Sequence, residues 1–375
     1  MVCRACDAEP ALTCSGPSTL SLVRSALLLL VAILLLVPAC SAGRPPAPDE
    51  SPSPRPAVWS RDTMSLSLPG LEELGARTDE QLDFAAAQGF TAIRVPVRWS
   101  EIEREQGQFD WGPLDKTIRS AAARQLQILA VVTWAPAWAV DPYQRSYSHP
   151  APQSAAEFAR FAGQAAARYR GLVSAWEVWN EPNIAVNFGP VPDVNRYCDI
   201  LRRSHTAIKA AAPSALVITG GTSPAADTSS SVSPANFVNA LYTCAPNSFD
   251  AVAMHPYPGN TLLGRQTGPN TSTGQIAQVN EVMKYRGDTR RKVWFTEFGS
   301  NTGTPPTGVS DEQQAQVLYT GVSLLRQLDF AGPTFVFTLR DIDTGSAVPD
   351  YNYGLVRSNF SVKPSLRAVL AAYRR

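Results

Sequence analysis

The sequence predicts an α/β protein whose main domain is a closed parallel barrel of the (β/α)8 TIM type. Three observations predict it. Apolar, β-branched segments alternate with amphipathic helical segments eight times along one chain. The folded part, residues 58–375 of 375, exceeds a simple domain but suits one such barrel. No glycine-rich phosphate loop follows the first strand, which counts against the alternative, a doubly wound open sheet.

The units follow in order. A strand near Met64–Leu66 precedes a helix over Thr78–Gln88. Thr91–Val97 is followed by a helix from Pro113 to Arg124, which starts after the turn Asp110-Trp111-Gly112. Ile128–Thr133 leads to an alanine-rich helix over Ala155–Tyr169, and Val173–Trp179 to a helix over Val194–Ala211. Leu216–Thr219, ending in Gly220-Gly221, precedes a helix over Pro234–Tyr242. Phe249–His255 precedes one over Ile276–Tyr285, and Lys292–Glu297 one over Glu312–Leu328. Thr334–Leu339 is closed by a helix over Leu366–Tyr373.

Residues 1–57 have a different character. Arg24 precedes the unbroken apolar run Ala26–Val37, which at twelve residues is short of the ~20 that a spanning helix needs. Pro38-Ala39-Cys40 follows. A charged flank, a short apolar run and small residues describe a secretory signal over 1–40. Val37-Pro38-Ala39-Cys40 resembles a bacterial lipobox, which implies lipidation of Cys40, and the long segment Met1–Val23, with Cys3, Cys6 and Cys14, points to a true beginning at Val23. Residues 41–57, rich in proline without apolar periodicity, read as a semi-extended tether. The expected place is therefore outside the cell or at its surface, with the only membrane attachment at Cys40.

Thirty-three basic and 32 acidic residues leave a net charge of +1, so no electrostatic footprint for nucleic acid exists. Cys198 and Cys244, the only cysteines beyond the tether, match no zinc spacing. In an exported domain such a pair is expected as a disulfide. His149, His205 and His255 are scattered; no metal and no cofactor is expected, and the protein is expected to act as a monomer.

In a barrel of this kind the chemistry lies at the C-terminal strand ends. The fourth strand runs through Trp176-Glu177-Val178-Trp179-Asn180-Glu181-Pro182-Asn183. Pro182 ends it by denying Glu181 helical geometry. Strand alternation places Glu177, Trp179 and Glu181 on one face, with Glu177 one layer deeper as a partner for an interior arginine. The seventh strand ends Trp294-Phe295-Thr296-Glu297-Phe298-Gly299, so Glu181 and Glu297 converge in space. Around them are expected Arg94 on the second strand, Trp134 and Trp138 on the third, and His255 and Tyr257 after the sixth. Two carboxyls between aromatic walls suit cleavage of a glycosidic bond: one protonates the leaving oxygen while the other meets positive charge at the sugar carbon. Trp134, Trp138 and Trp179 are candidates for stacking on sugar rings, against the plainer role of filling the barrel. Asp341 and Asp343, after the eighth strand, read as solvated loop acids.

Trp179-Asn180-Glu181-Pro182, His255-Pro256-Tyr257 and Thr296-Glu297-Phe298-Gly299 together resemble the clan-A glycoside hydrolases. So do Arg94-Val95-Pro96-Val97-Arg98-Trp99 and Phe109-Asp110-Trp111. The likeness is to family 39 first and the cellulase family 5 next, over about Trp59 to Tyr373. It implies Glu181 as general acid/base, Glu297 as nucleophile and Asn180 as a ligand of the sugar 2-hydroxyl. It also implies Tyr257 or His255 orienting Glu297, Arg94 beneath the nucleophile, and retention of anomeric configuration. One departure stands out: family 5 places tryptophan at the end of the eighth strand, where this chain has Phe337-Thr338-Leu339-Arg340-Asp341. The reading is a retaining glycosidase acting on a β-linked poly- or oligosaccharide. A carbohydrate-binding surface lipoprotein without catalysis, and a transglycosidase remodelling cell-surface glycan, are the alternatives.

Overall fold

The computed structural model describes residues 58–69, 77–303 and 308–374. The expected signal segment, the tether and Cys40 lie outside the described residues. Eight parallel strands follow one another around a barrel: β1 (Met64–Ser67), β2 (Ala92–Arg98), β3 (Gln127–Thr133), β4 (Ala175–Asn180), β5 (Leu216–Gly221), β6 (Val252–Met254), β7 (Val293–Phe298) and β8 (Ala331–Phe337). Between β5 and β6 the ring closes through two isolated parallel bridges, Ile218 with Ala251 and Thr222 with Met254. The outer helices are α1 (Thr78–Ala87), α2 (Gly112–Ala123), α3 (Ala155–Arg168), α4 (Val194–Ala211), α5 (Pro234–Cys244), α6 (Ser272–Tyr285), α7 (Asp311–Gln327) and α8 (Pro364–Tyr373). All eight expected strand-then-helix units are present.

Local chemistry starts the helices where the sequence places them. Ser154 and Asp193 accept N–H bonds from Glu157 and Arg196 and so cap α3 and α4. Ser310 and Gln313 form a reciprocal capping box on α7. Several boundaries differ from expectation; α6, for one, starts four residues early, at Ser272. β6 shrinks to three residues because Ala251 only bridges to β5 while His255 turns out of the ladder. β8 starts three residues early, at Ala331.

Two apolar layers hold the barrel. The outer one lies between strands and helices and includes Trp99, Phe158, Phe161, Trp176 and Trp179. The inner one fills the lower barrel with Leu129, Ala175, Ile218, Ala251, Ala253, Trp294 and Phe335. Trp59, just before β1, closes the bottom against Trp294 and Phe335, with ring centroids 5.0 and 5.9 Å away. Above this plug the interior turns polar, beginning with Ser67, Arg94 and Glu177. Cys198 on α4 and Cys244 at the end of α5 are disulfide-bonded. Among the described residues no helix is long and apolar enough to cross a membrane.

The segment from Thr338 to Lys363 wraps the top of β8 around a buried ion pair. Lys363 Nζ lies 2.8 Å from Asp341 Oδ1 and also donates to Thr302 Oγ1, and both charged side chains are almost wholly buried. Asp341 accepts further bonds from the Gly354 N–H and the Thr344 hydroxyl. Asp341 is therefore not the solvated acid expected from sequence; it is the internal anchor of this loop. Removing one partner strands the other's charge. Lys363→Met should cost about 3–5 kcal/mol of stability in urea unfolding, with much of the loss recovered when Asp341→Asn is added.

Candidate active site

The site is assembled from the tips of β1, β2, β4, β6 and β7, with Arg94 at its base. Arg94 is 3% exposed and aligns in register with Ser67 on β1. Its Nε and one Nη2 hydrogen go to the two oxygens of Glu177, at 2.7 and 3.2 Å. From Nη1 it donates to Ser67 Oγ at 3.2 Å and to Glu297 Oε1 at 2.6 Å, and from Nη2 to Asn180 Oδ1 at 2.8 Å. All five donors of the guanidinium are thereby used. The interior arginine partner expected for Glu177 is Arg94 itself.

Glu297 accepts from Arg94 on one oxygen and from the Tyr257 hydroxyl on the other, at 2.7 Å. Burial pushes this carboxyl up, but the charges of His255 and Arg94 and the two hydrogen bonds outweigh it, so its pKa lies below the ordinary glutamate value. Burial, then the neighbouring Glu297 charge, raise the Tyr257 phenol well above its usual range and keep it a donor.

Glu181 meets His255 Nδ1 at 3.0 Å through Oε1 and accepts from Asn187 Nδ2 at 2.6 Å through Oε2. On its other side His255 Nε2 lies 3.0 Å from Thr296 Oγ1, which donates its single hydrogen to Glu177 Oε1 at 3.2 Å. Thr296 must then accept from Nε2–H, which leaves Nδ1 facing Glu181 with one proton between them. Burial opposes a charge on His255, yet the two glutamates outweigh it and raise its pKa. Gly221 is required behind this ring: a Cβ there would lie 2.1 Å from His255 Nε2.

His255 Nδ1 is also 3.8 Å from Glu297 Oε2. One nitrogen thus touches both carboxylates, and their facing oxygens can be separated by no more than its two legs of 3.0 and 3.8 Å together. That bound admits the roughly 5–5.5 Å of a retaining pair. Both side chains keep an opening to solvent, 14% exposed for Glu181 and 16% for Glu297.

Alternation fails at the end of β4. Trp179 (φ 72°) and Glu181 (φ 48°) adopt left-handed backbone, strained for side-chain-bearing residues and concentrated at functional strand ends. As a result Asn180 and Glu181, adjacent in sequence, both face the site. With Asn180 Oδ1 held by Arg94, its amide NH2 is turned away from the arginine and donates to no protein group among the described residues.

The three tryptophan candidates separate. Trp179 is wholly buried in the outer layer against Phe158 and Phe188, its indole N–H held by the Asn187 carbonyl, so it cannot stack on a sugar. Trp138 packs edge-on to Trp99 and donates to the Glu103 carbonyl. Trp134 stands half-buried at the tip of β3, stacked at 4.2 Å on His149 with the Arg98 guanidinium 4.5 Å from its ring. Arg94, Asn180, Glu181, His255, Tyr257 and Glu297 are brought together as expected.

Sequence reading missed Asn187, Thr296, Ser67 and Tyr353. Tyr353 packs edge-on to Tyr257 and to Phe337, with centroids 5.9 and 5.3 Å away. Phe337 ends β8, and its peptide bond to Thr338 is cis. Only Thr296 carried a signal, through its adjacency to Glu297.

Comparisons with known proteins agree with this fold. Among solved structures, a family 39 glycoside hydrolase from the gut symbiont Bacteroides cellulosilyticus WH2 superposes with a TM-score of 0.66 at 21% identity, over 84% of this chain and 64% of that one. GH5_18 from Streptomyces cattleya, in complex with GlcNAc, gives 0.62 at 22% identity, over 80% of this chain and 74% of that one. Xylanase 10B from Thermotoga maritima gives 0.60 at 13%, over 84% and 96%. At such identities the likeness establishes the fold, and this chain spans less than two thirds of the family 39 enzyme. No curated protein matches the chain. The family model "Cellulase (glycosyl hydrolase family 5)" matches residues 60–331, well over half of the sequence. The chain therefore belongs to glycoside hydrolase family 5.

Proposed function

We propose that the protein cleaves a β-glycosidic bond in a poly- or oligosaccharide by double displacement, with Glu297 as nucleophile and Glu181 as acid/base. The observation that carries this reading is the different wiring of the two carboxyls. Glu297 is held anionic by the charges of His255 and Arg94 and by the Tyr257 hydroxyl, whereas Glu181 faces the His255 imidazole and the Asn187 amide. Glu297 attacks the anomeric carbon while Glu181 gives its proton to the departing oxygen. A glycosyl ester forms on Glu297, and water deprotonated by Glu181 then releases the sugar. Asn180, its NH2 turned away from Arg94, donates to the sugar 2-hydroxyl. No step calls on a metal or an organic cofactor. The two carboxyls, in distinct protonation environments, favour catalysis over a purely carbohydrate-binding role.

Glu181→Ala should lower turnover of substrates with poor leaving groups by about 10²–10⁴-fold while largely sparing activated aryl glycosides, which need no proton to leave. Equal losses on both substrate types would remove Glu181 from the acid role. Arg94 keeps Glu297 ionised, so activity should persist on the acid side below the usual glutamate pKa of ~4.3 and fall as Glu297 protonates. Arg94→Met takes away a charge that lowers this pKa, so the acid limb of the kcat/KM profile should move upward by about 1–3 pH units.

We also propose that the protein is exported and anchored through a lipid on Cys40. The short apolar run before Val37-Pro38-Ala39-Cys40 supports this, as does the Cys198–Cys244 disulfide, a bond that persists in oxidising compartments. Mass spectrometry of the N-terminal peptide should find a diacylglyceryl group on that cysteine; an unmodified thiol there contradicts the anchor.

A further inference from the structure

Glu181 has two carboxyl oxygens, and His255 accounts for one of them. The other, Oε2, lies 2.6 Å from Asn187 Nδ2, closer than the 3.0 Å between Oε1 and the imidazole. Asn187 belongs to the loop after β4 and is itself held from two directions. Its N–H donates to the Ile184 carbonyl at 3.1 Å, and its own carbonyl accepts from the Trp179 indole N–H at 2.6 Å. Trp179 is wholly buried against Phe158 and Phe188, which gives that bond a fixed origin. The left-handed backbone at Trp179 turns the indole away from the carboxylates, and in doing so ties the loop to the strand that carries Glu181. The loop is pinned again at its middle, where Ala185 N–H donates to the Ser230 carbonyl at 2.9 Å.

An amide can face a carboxyl with either end, and only its NH2 end can donate. Here the surroundings choose. The Asn187 side chain also hydrogen-bonds His149, whose ring is stacked on Trp134 with Nδ1 3.3 Å from the Val186 carbonyl. Burial lowers the pKa of His149, while the Val186 carbonyl and the Asn187 side chain act against it, as hydrogen-bond acceptors do. With Oδ1 turned to the imidazole, Nδ2 is the end left for Glu181. The carboxyl is thus gripped at both oxygens and cannot turn about its last torsion without breaking a contact.

Asn187 does not titrate, so it can neither take the acid's proton nor replace it. What it supplies is a donor whose bond strengthens when its carboxyl partner is charged. Glu181 acquires that charge as its proton passes to the departing oxygen. We propose that Asn187 is a positioning residue for the acid/base: it fixes the plane of the Glu181 carboxyl and stabilises the anion formed as the leaving group departs. The inference rests on Glu181 being the acid, as proposed above. Because Asn187 works through Glu181, its effect is largest where proton donation limits the rate.

The test is a ladder of dinitrophenyl, nitrophenyl and phenyl β-glycosides of the preferred sugar, hydrolysed by the full chain. Asn187→Ala should lower kcat/KM on the phenyl glycoside by about 10–100-fold, chiefly through kcat, and on the dinitrophenyl glycoside by about threefold or less. The loop should survive, because the Trp179 bond goes to a backbone carbonyl, and an unchanged urea midpoint checks this. Asn187→Asp has nearly the same shape, removes the donor and sets a second carboxyl against Glu181. It should show the same dependence on leaving group with a larger loss, and it carries the test if the alanine variant does not fold. In the Glu181→Ala chain, adding Asn187→Ala should cost about twofold or less, since the group it acts through is gone. A loss equal across the ladder, no loss, or a full further loss in the Glu181→Ala chain overturns the positioning role. Glu181→Ala by itself separates the two readings. If it shows the leaving-group dependence and the Asn187 variants do not, only this inference falls; if it shows none, the acid assignment falls and this inference with it.

Discussion

One guanidinium organises the upper barrel. Arg94 spends two donors on Glu177, and the other three on Ser67, Asn180 and Glu297, so it ties β1, β2, β4 and β7 to a common point. Lysine could not replace it: a compact ammonium has three donors and no planar fork. A buried cation must be compensated. Glu177 neutralises it from below, and the charge left over is felt by Glu297. The same contacts that make the arginine tolerable in the interior therefore help, with the His255 charge, to hold Glu297 anionic.

A second chain of polar groups sets the other carboxyl. Glu177 receives the Thr296 hydroxyl, Thr296 receives His255 Nε2–H, and Nδ1 is left to share a proton with Glu181. The two glutamates thus differ through what each is bonded to, and both lines of bonding lead back to Glu177. Two carboxyls in different surroundings are what acid and nucleophile roles require. This geometry depends on close backbone approach, above all at Gly221, where any side chain would displace the imidazole.

Much of this was legible in the sequence because it follows from periodicity and from motifs at strand tips. The eight units, the pairing of Glu181 with Glu297, and Arg94 beneath them needed no coordinates. What was illegible has physical reasons. The rule of alternation assumes extended backbone, and the left-handed turns at Trp179 and Glu181 break it, sending the indole outward and the carboxyl inward. Trp179 then reads as a sugar contact although it is core, and Trp138 likewise packs on Trp99. Asn187 and Tyr353 come from loops whose return to the site is a matter of tertiary contact. Asp341 looked like a surface acid because its partner, Lys363, lies beyond an intervening loop.

The central claim is that Glu297, held anionic over Arg94, bonds covalently to the sugar. Incubation with an activated 2-deoxy-2-fluoro β-glycoside of the preferred sugar, followed by proteolysis and mass spectrometry, tests it most directly. The account predicts a single glycosyl adduct on the peptide containing Glu297. An adduct on Glu181 or any other carboxylate, or steady turnover without an adduct, would contradict it.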